Sequence, residues 1–495
     1  MTGRLEAVCA RLGLNAAVLS SCTDLTADTA EVSPGACFIA VRGARFDGHD
    51  FLDEALSRGA RAILCDRDRT PARLRPGVAC LRVPDTRILE RELAAAFFGD
   101  PSRSLRVAGL TGTNGKTTSS ILIGAIERAL GHRTAVVNTL GVEVDGARGQ
   151  FVRALPPPAT LQRFLRDRKD DGHAGVVLEC SSWSLHMDRT IGVAFDRALV
   201  TRLTRDHLDV HPDMHAYARA KWRLVDQLAE SGRSRILSLA ADFPAPAPIP
   251  AGLSCLRYSV TDPAADLTAR ILETTPAGSV LEVLFRGRPT GRLRTNLPGV
   301  HNIENLLGVL GLYPDLLERQ ANGQSTVLSS DDLFMNIHVD GRLEPVAHPG
   351  GVFVYVDYAH TPDALEVVLK TLINLHGNRI CTVFGCGGDR DPEKRPLMGA
   401  IAAGLSREVI VTSDNPRSED PEAIIAQILA GTSGATGNVH AEPDRRRAIA
   451  LALTRVGPKD VLLVAGKGHE TEQILRDRTI HFCDRTVLQE EISRC

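Results

Sequence analysis

The sequence predicts an α/β protein of three units, and three observations carry that prediction. First, 495 residues exceed what one hydrophobic core serves. Second, short apolar runs with strand character alternate with Ala- and Leu-rich stretches of helical period. Third, several of those runs end in loops of Gly, Asp, Asn, Arg and Pro, and open α/β sheets bind ligands beyond the carboxyl ends of their strands.

The first unit spans residues 1–103. Strands are expected over Cys37–Val41, after the turn Ser33-Pro34-Gly35, and over Ala60–Cys65, with a short amphipathic helix over Phe51–Arg58 between them. The stretch Gly99-Asp100-Pro101-Ser102 breaks the pattern. The second unit, residues 104–337, continues the alternation. Val176–Glu179 and Arg197–Thr201 read as strands covered on both faces and predict a parallel sheet. Asn302–Leu312 is a helix, and the Pro-rich Phe243–Pro250 is a loop. The third unit, residues 338–495, sets strands over Val352–Asp357, Ile380–Gly385, Glu408–Thr412 and Asp460–Gly466. Helices over Pro421–Gly431 and Arg445–Arg455 lie between them, making a doubly wound domain.

Composition excludes several functions. Hydrophobic content of 43% and charged content of 24% are those of an ordinary globular protein. A net charge of −2 and only 4% aromatics argue against a nucleic-acid partner. No apolar run approaches the ~18 residues of a membrane span, and Met1–Val8 lacks a signal core, so a cytoplasmic protein is expected. The 11 cysteines are scattered without a C-x-x-C, which suggests reduced thiols rather than zinc sites or disulfides.

The most informative segment is residues 106–118. The apolar run Val107–Leu110 enters Thr111-Gly112-Thr113-Asn114-Gly115-Lys116-Thr117-Thr118, and a helical pattern follows. Strand, glycine loop, helix is the layout of a phosphate-binding loop, whose backbone N–H groups face an anion. Lys116 supplies a charge for the β- and γ-phosphates, and the Thr117 hydroxyl suits Mg²⁺. The loop departs from the Walker pattern in having Leu110 where a glycine is expected. ATP is the expected ligand.

Further polar residues stand at strand ends. Glu179, followed by Cys180-Ser181-Ser182, is a candidate Mg²⁺ ligand. His207, flanked by Asp206 and Asp209, suits a second metal or a phosphate. Lys221 sits in a helical pattern, where the residues alone suggest a solvated lysine. In the third unit, Asp357–Pro362, Gly385–Asp391, Thr412–Glu419 and Gly466–Glu470 describe one shared cleft. Arg390, Arg417 and Asp414 suit a zwitterion, since guanidinium grips carboxylate and carboxylate takes ammonium.

Together with Val32-x-Pro34-Gly35 and Phe46–Phe51, these motifs resemble the Mur ligases over nearly the whole chain. That family consists of ATP-dependent amide ligases of peptidoglycan precursor synthesis. The resemblance implies addition of meso-diaminopimelate to UDP-N-acetylmuramoyl-L-Ala-D-Glu through an acyl phosphate. It implies an acceptor-binding domain at 1–103, a central P-loop ATPase-like domain at 104–337 and a Rossmann-like amino-acid-binding domain at 338–495, in a monomer. By position it puts Lys116 and Thr117 on the phosphates and Mg²⁺, with Gly112, Thr113, Asn114, Gly115 and Thr118 around them. Thr117, Glu179 and His207 become metal ligands at two Mg²⁺ sites. Lys221 becomes a lysine carbamylated by CO₂. Asn302, Arg342, Asp357 and His360 fall near the nucleotide. Arg390, Asp414, Asn415, Arg417, Gly466 and Glu470 form the diaminopimelate pocket, and Ser181, Ser182 and Arg189 face the acceptor.

The departures from the family cluster on that acceptor. Asp28-Thr29-Ala30 stands for Asp-Ser-Arg, Ala154-Leu155-Pro156 ahead of Gln162 stands for Thr-Thr-Pro, and Trp183 and Met187 replace a His and a Gln. Lost donors of this kind weaken a polar grip by ~1–3 kcal/mol each. Weaker use of the nucleotide sugar is therefore expected. A paralogue joining a diaminopimelate-like amino acid to another carboxylate, or a non-catalytic ATP-binding scaffold, are the alternatives. Intact Lys116, Glu179, His207 and Lys221 argue against the scaffold.

Overall fold

In the computed structural model, residues 2–43, 46–69, 74, 76–149, 155–434 and 438–494 are described. Three main sheets follow one another along the chain. The first has 4 parallel strands, Leu25–Thr26, Cys37–Ile39, Ala62–Asp66 and Ala79–Val83, side by side in chain order. The helix Thr86–Phe97 buries Leu89 and Leu93 against it, capped by the Asp85 side chain on Arg87 N–H. Ala159, from the helix Pro158–Asp170 of the next unit, completes this core. An ion pair reinforces the junction, with Arg163 of that helix 2.6 Å from Asp24 and also bound to Glu31.

The second sheet has 11 strands and is mixed, not parallel throughout. Its centre is parallel, with Arg106–Thr111 between Arg197–Val200 and Gly175–Glu179. The edges are antiparallel: Thr134–Asn138, Gly141–Val144 and Ala147–Gly149 at one side, Leu267–Thr275, Gly278–Phe285 and Arg288–Thr295 at the other. The reason lies in two-residue turns. Asp145-Gly146 has φ of 51° and 82°, and Arg286-Gly287 has φ of 50° and 74°. Positive φ at both central residues is the primed turn whose twist matches a hairpin.

The third sheet has 6 strands in the order Glu344–Val346, Phe353–Asp357, Val461–Ala465, Ile380–Phe384, Glu408–Val411, Asn438–Ala441. All are parallel except the edge strand Glu344–Val346. The predicted strands end one residue early here, because Gly385, Thr412 and Gly466 already belong to the loops. No helix among the described residues is long and apolar enough to cross a membrane. The 10 described cysteines are free.

An ion pair sits inside the third unit. Arg445 and Asp484 are both 0% exposed and meet through two bonds of 2.7 Å. Arg445 also donates to Ala465 O at 2.9 Å and Ser413 O at 3.4 Å, tying together two strand ends. Removing one partner of such a pair strands a buried charge, at a cost of about 3–5 kcal/mol. Asp484→Ala is expected to lower the opening free energy of the Val461–Ala465 amides by about that amount in native-state hydrogen exchange. The paired change Arg445→Met with Asp484→Leu is expected to recover most of the loss.

Candidate functional site

The phosphate loop is held by close packing. Gly112 and Gly115 have φ of 141° and 87°. A Cβ at Gly112 would lie 1.7 Å from Thr201 Oγ1, and one at Gly115 would lie 2.0 Å from Asn305 Oδ1, so only glycine fits either place. The loop is pinned to the segment after Arg197–Val200. Thr201 Oγ1 donates to Asn114 O at 2.7 Å, Thr113 N–H to Arg202 O at 2.9 Å, and Thr204 N–H to Thr113 Oγ1 at 3.0 Å.

Charged groups converge where this loop meets the helix Lys116–Ala129. Lys116 Nζ donates to Thr113 O at 2.7 Å and Gly112 O at 3.1 Å. Lys221, 1% exposed on the helix Met214–Glu230, donates to the same Gly112 O at 2.6 Å and lies 4.3 Å above the Tyr217 ring. It is therefore not a solvated lysine. Burial, reinforced by Lys116, pushes the Lys221 amine well below its ordinary value. Glu179, at the end of the neighbouring strand, accepts from Thr117 Oγ1 at 2.9 Å, Thr139 Oγ1 at 2.8 Å and Thr139 N–H at 3.1 Å. Thr117 and Glu179 are hard oxygen donors already in contact, a set that fits Mg²⁺.

His207 has φ of 55° and stands 3.3 Å from Asp206. Desolvation in the cleft, with Lys221 and Lys116 nearby, pushes its imidazole down to about 4 against the pull of Asp206. The ring is neutral at physiological pH, the form that ligates metal.

Two cavities flank this centre. One is lined by Asn114, Gly115, Thr117, Thr118, Asn302 and Asn305 from the second unit and by Arg342, Asp357 and Asp363 from the third. Asn302 Nδ2 donates to Pro298 O at 2.8 Å. Asp357 accepts from Leu343 N–H at 2.6 Å and Ala359 N–H at 2.7 Å, and burial raises its carboxyl. Arg342 covers the Tyr358 ring at 4.6 Å. Asn114 Nδ2 reaches across to Asp363 at 3.1 Å, joining the two units.

The other cavity gathers Arg390, Asp414, Asn415, Arg417, Gly466 and Glu470, all six residues expected in one pocket. Arg417 has φ of 52° and donates to Gly388 O at 2.7 Å. Asn415 Nδ2 donates to Glu470 at 2.8 Å. His360 lines this cavity as well. Its Nδ1–H donates to Tyr358 O at 2.7 Å, which turns Nε2 toward Asp206 at 4.0 Å.

Asp206, Asp209, Asp391 and Tyr358, all within the polar segments singled out in the sequence, line it too, and so does Lys394, which sequence reasoning missed. Lys394 opens a helix and donates to His360 O at 2.9 Å, yet in sequence it looks like any surface lysine. Asp209 lies 3.7 Å from Arg390, and Arg205 lies 3.3 Å from Asp391. Those acidic positions were visible beside His207 and Arg390, but nothing local joined them.

The acceptor-side residues are more dispersed. Ser181 caps the helix Ser182–His186 by accepting from Ser184 N–H at 3.0 Å, and Ser182 is buried. Arg189 Nη1 donates to Leu155 O at 2.6 Å. The Leu155 side chain is 1% exposed within the core, so it packs rather than facing a ligand. Ala154 lies outside the described residues. Trp183 is 42% exposed, with its ring 6.1 Å from that of His186. Asp28 accepts from Ala30 N–H at 2.9 Å and shapes the short turn Thr29–Glu31.

Comparison with known proteins adds the following. Residues 22–98 match the model "Mur ligase family, catalytic domain", 110–313 match "Mur ligase middle domain", and 341–468 match "Mur ligase, glutamate ligase domain". A UDP-N-acetylmuramoyl-L-alanyl-D-glutamate–2,6-diaminopimelate ligase of Chlorobaculum tepidum is 39% identical over 477 residues, 94% of this chain and 92% of that protein. Its namesake from Geobacillus thermodenitrificans is 37% identical over 474 residues, 94% and 93% of the two chains. A solved structure bearing the same enzyme name aligns at a TM-score of 0.63 with 30% identity, covering 96% and 95%. The MurF ligase of Thermotoga maritima in complex with ADP aligns at 0.66 with 18% identity, covering 96% and 98%, a likeness of fold.

Lys116 bonds to two backbone carbonyls and is expected to meet an incoming γ-phosphate. Lys116→Ala is expected to abolish ATP turnover in a phosphate-release assay while hydrogen exchange of the helix Lys116–Ala129 shows the fold retained. Near-normal turnover would contradict a role on the phosphate.

Proposed function

The chain belongs to the Mur ligase family, and on that premise we propose that it joins meso-diaminopimelate to UDP-N-acetylmuramoyl-L-Ala-D-Glu at the expense of ATP. One observation carries the reading. The phosphate loop is bonded at Thr113 to Thr204, and two and three residues further on Asp206 and His207 line the pocket that bears both guanidinium and carboxylate groups. The proposed division of labour is acceptor binding by residues 1–103, ATP binding by 104–337 and amino-acid binding by 338–495. As in peptidoglycan precursor synthesis generally, the place of work is the cytoplasm.

The chemistry runs in two steps. An oxygen of the acceptor carboxylate attacks the γ-phosphorus, the bond to ADP breaks, and an acyl phosphate forms. The amine of the amino acid, having lost a proton, attacks the carbonyl carbon. A tetrahedral intermediate collapses, the C–O bond breaks and phosphate leaves. Activation is needed because a carboxylate is a poor electrophile. Lys116 exchanges its carbonyl partners for the γ-phosphate and balances the charge that develops there. Thr117 and Glu179 would hold one Mg²⁺ and His207 a second, and the ions would supply positive charge against the phosphates. Contacts between the second and third units, Asn114 with Asp363 and Arg205 with Asp391, support exclusion of water from the acyl phosphate.

Lys221 is proposed to react with CO₂. Burial and the neighbouring Lys116 push its amine well below the ordinary value, which favours the neutral, nucleophilic form. The nitrogen bonds to carbon, a proton leaves, and the product is an anion that attracts Mg²⁺ where an ammonium would repel it. Lys221→Ala is expected to lose at least ~100-fold in kcat, the ~2.7 kcal/mol of one electrostatic contact in the transition state. Added formate or acetate is expected to restore part of it, and full activity of the untreated variant would refute the carbamate.

Arg417 is proposed to bind the distal carboxylate that distinguishes diaminopimelate from lysine. A guanidinium left without that partner disfavours lysine. Arg417→Ala is expected to raise the diaminopimelate KM by about 10- to 150-fold, from the ~1.5–3 kcal/mol of a charged hydrogen bond. The wild type is expected to prefer meso-diaminopimelate, and equal kcat/KM for the two amino acids would refute the assignment.

A further inference from the structure

Lys467 lies between two pocket residues in sequence, Gly466 and Glu470, yet its side chain is 0% exposed and lines no part of the pocket. Its Nζ donates to Glu472 O at 2.6 Å, Glu470 Oε2 at 3.0 Å and Asn415 Oδ1 at 3.2 Å. An ammonium has three hydrogens, and each has an acceptor here. Asp414 Oδ1 stands 4.0 Å away. The cation thus sits beneath three residues of the amino-acid pocket at once.

Two consequences follow from the geometry. Asn415 Oδ1 receives both Lys467 and Ile474 N–H, the latter at 2.9 Å. That fixes which way the amide points, so its NH₂ faces Glu470 at 2.8 Å. Glu470 Oε2 is then occupied by Lys467 and Asn415, leaving Oε1 as the oxygen open to a ligand. The floor formed by Asp414, Glu470 and Lys467 carries one more negative charge than positive, which suits a single ammonium. Without Lys467, the two carboxylates would be left with Arg445, already paired to Asp484, as the buried cation nearest them.

We propose that Lys467 is a positioning residue for amino-acid recognition, acting through Glu470 and Asn415 to hold an ammonium of the incoming amino acid. The inference rests on the assignment of this pocket to the amino acid. A lysine that merely braced the segment 466–474 would disturb every substrate alike, so the test must separate the two roles.

The experiment measures KM for each substrate and kcat in Lys467→Met, Glu470→Gln and the double variant, by phosphate release with meso-diaminopimelate as the amine. Lys467→Met is expected to raise the diaminopimelate KM at least tenfold, with KM for ATP and for the nucleotide sugar within twofold and kcat within threefold. In the Glu470→Gln background the same change is expected to add less than twofold, because its route is already cut. Lys467→Gln, which keeps a donor without the charge, replaces Lys467→Met if that variant does not fold, with the same expectation. An unchanged diaminopimelate KM, equal rises for all three substrates, or additive effects in the double variant would overturn the proposal. The wild-type enzyme reads the pocket assignment separately: no diaminopimelate-dependent phosphate release removes that assignment and this inference with it.

Discussion

Two lysines share the carbonyl oxygen of Gly112, and the rest of the centre is arranged around that fact. Lys116 approaches from the helix that follows the loop, Lys221 from a helix more than a hundred residues later. Neither has a carboxylate as direct partner, although Glu179 and Asp206 act on both from a distance. Like charges this close in a desolvated place disfavour one another. Burial lowers both amines, and Lys116 lowers Lys221 further. Two donors gathered on one carbonyl, with the acids at a distance, suit an anionic ligand. The loop that presents this carbonyl has no room for a side chain at Gly112 or Gly115, where a Cβ would meet Thr201 or Asn305.

The cavity around Arg390 and Arg417 is organised on a different principle. There the charges that face the cleft are held by charges that do not. Arg445 and Asp484 clamp the ends of two strands from below, and Lys467 binds the two residues that top them. Arg395, 1% exposed, grips Glu419 with two bonds of 2.8 Å and thereby steadies the turn that carries Arg417. Buried ion pairs seldom add much net stability compared with apolar packing. Here they fix orientation, which a substrate with several charged ends requires.

The residues expected on the acceptor are held mostly by packing and ion pairs between the first two units. Arg163 ties the turn near Asp28 to the helix Pro158–Asp170, and Arg189 ties the preceding segment to the helix carrying Ser182. Leu155 fills core space, so its difference from a threonine is first a matter of packing. Trp183 is the exception, a large exposed ring on the same helix as Ser182.

What the sequence determined by itself were the local features. The strand–glycine–helix signature at 106–118, the strands ending in Glu179 and Asp357, and the four polar loops of the third unit all depend on short-range periodicity and turn chemistry. Those survive into the fold with boundaries shifted by a residue or two. The antiparallel edges of the central sheet were also written locally, in Asp145-Gly146 and Arg286-Gly287, though the run of buried strands drew attention to a parallel arrangement. Other features depend on approach between distant segments and were not legible. The burial of Lys221 against Gly112, the placing of His360 with Arg390, and the entry of Lys394 and Asp209 into one pocket require the sheets to be assembled first. A lysine on a helix carries no mark of whether its face meets water or another strand's carbonyl. Only the tertiary structure decides that, because the charge state of a side chain is set by what surrounds it in space and not by its neighbours in the chain.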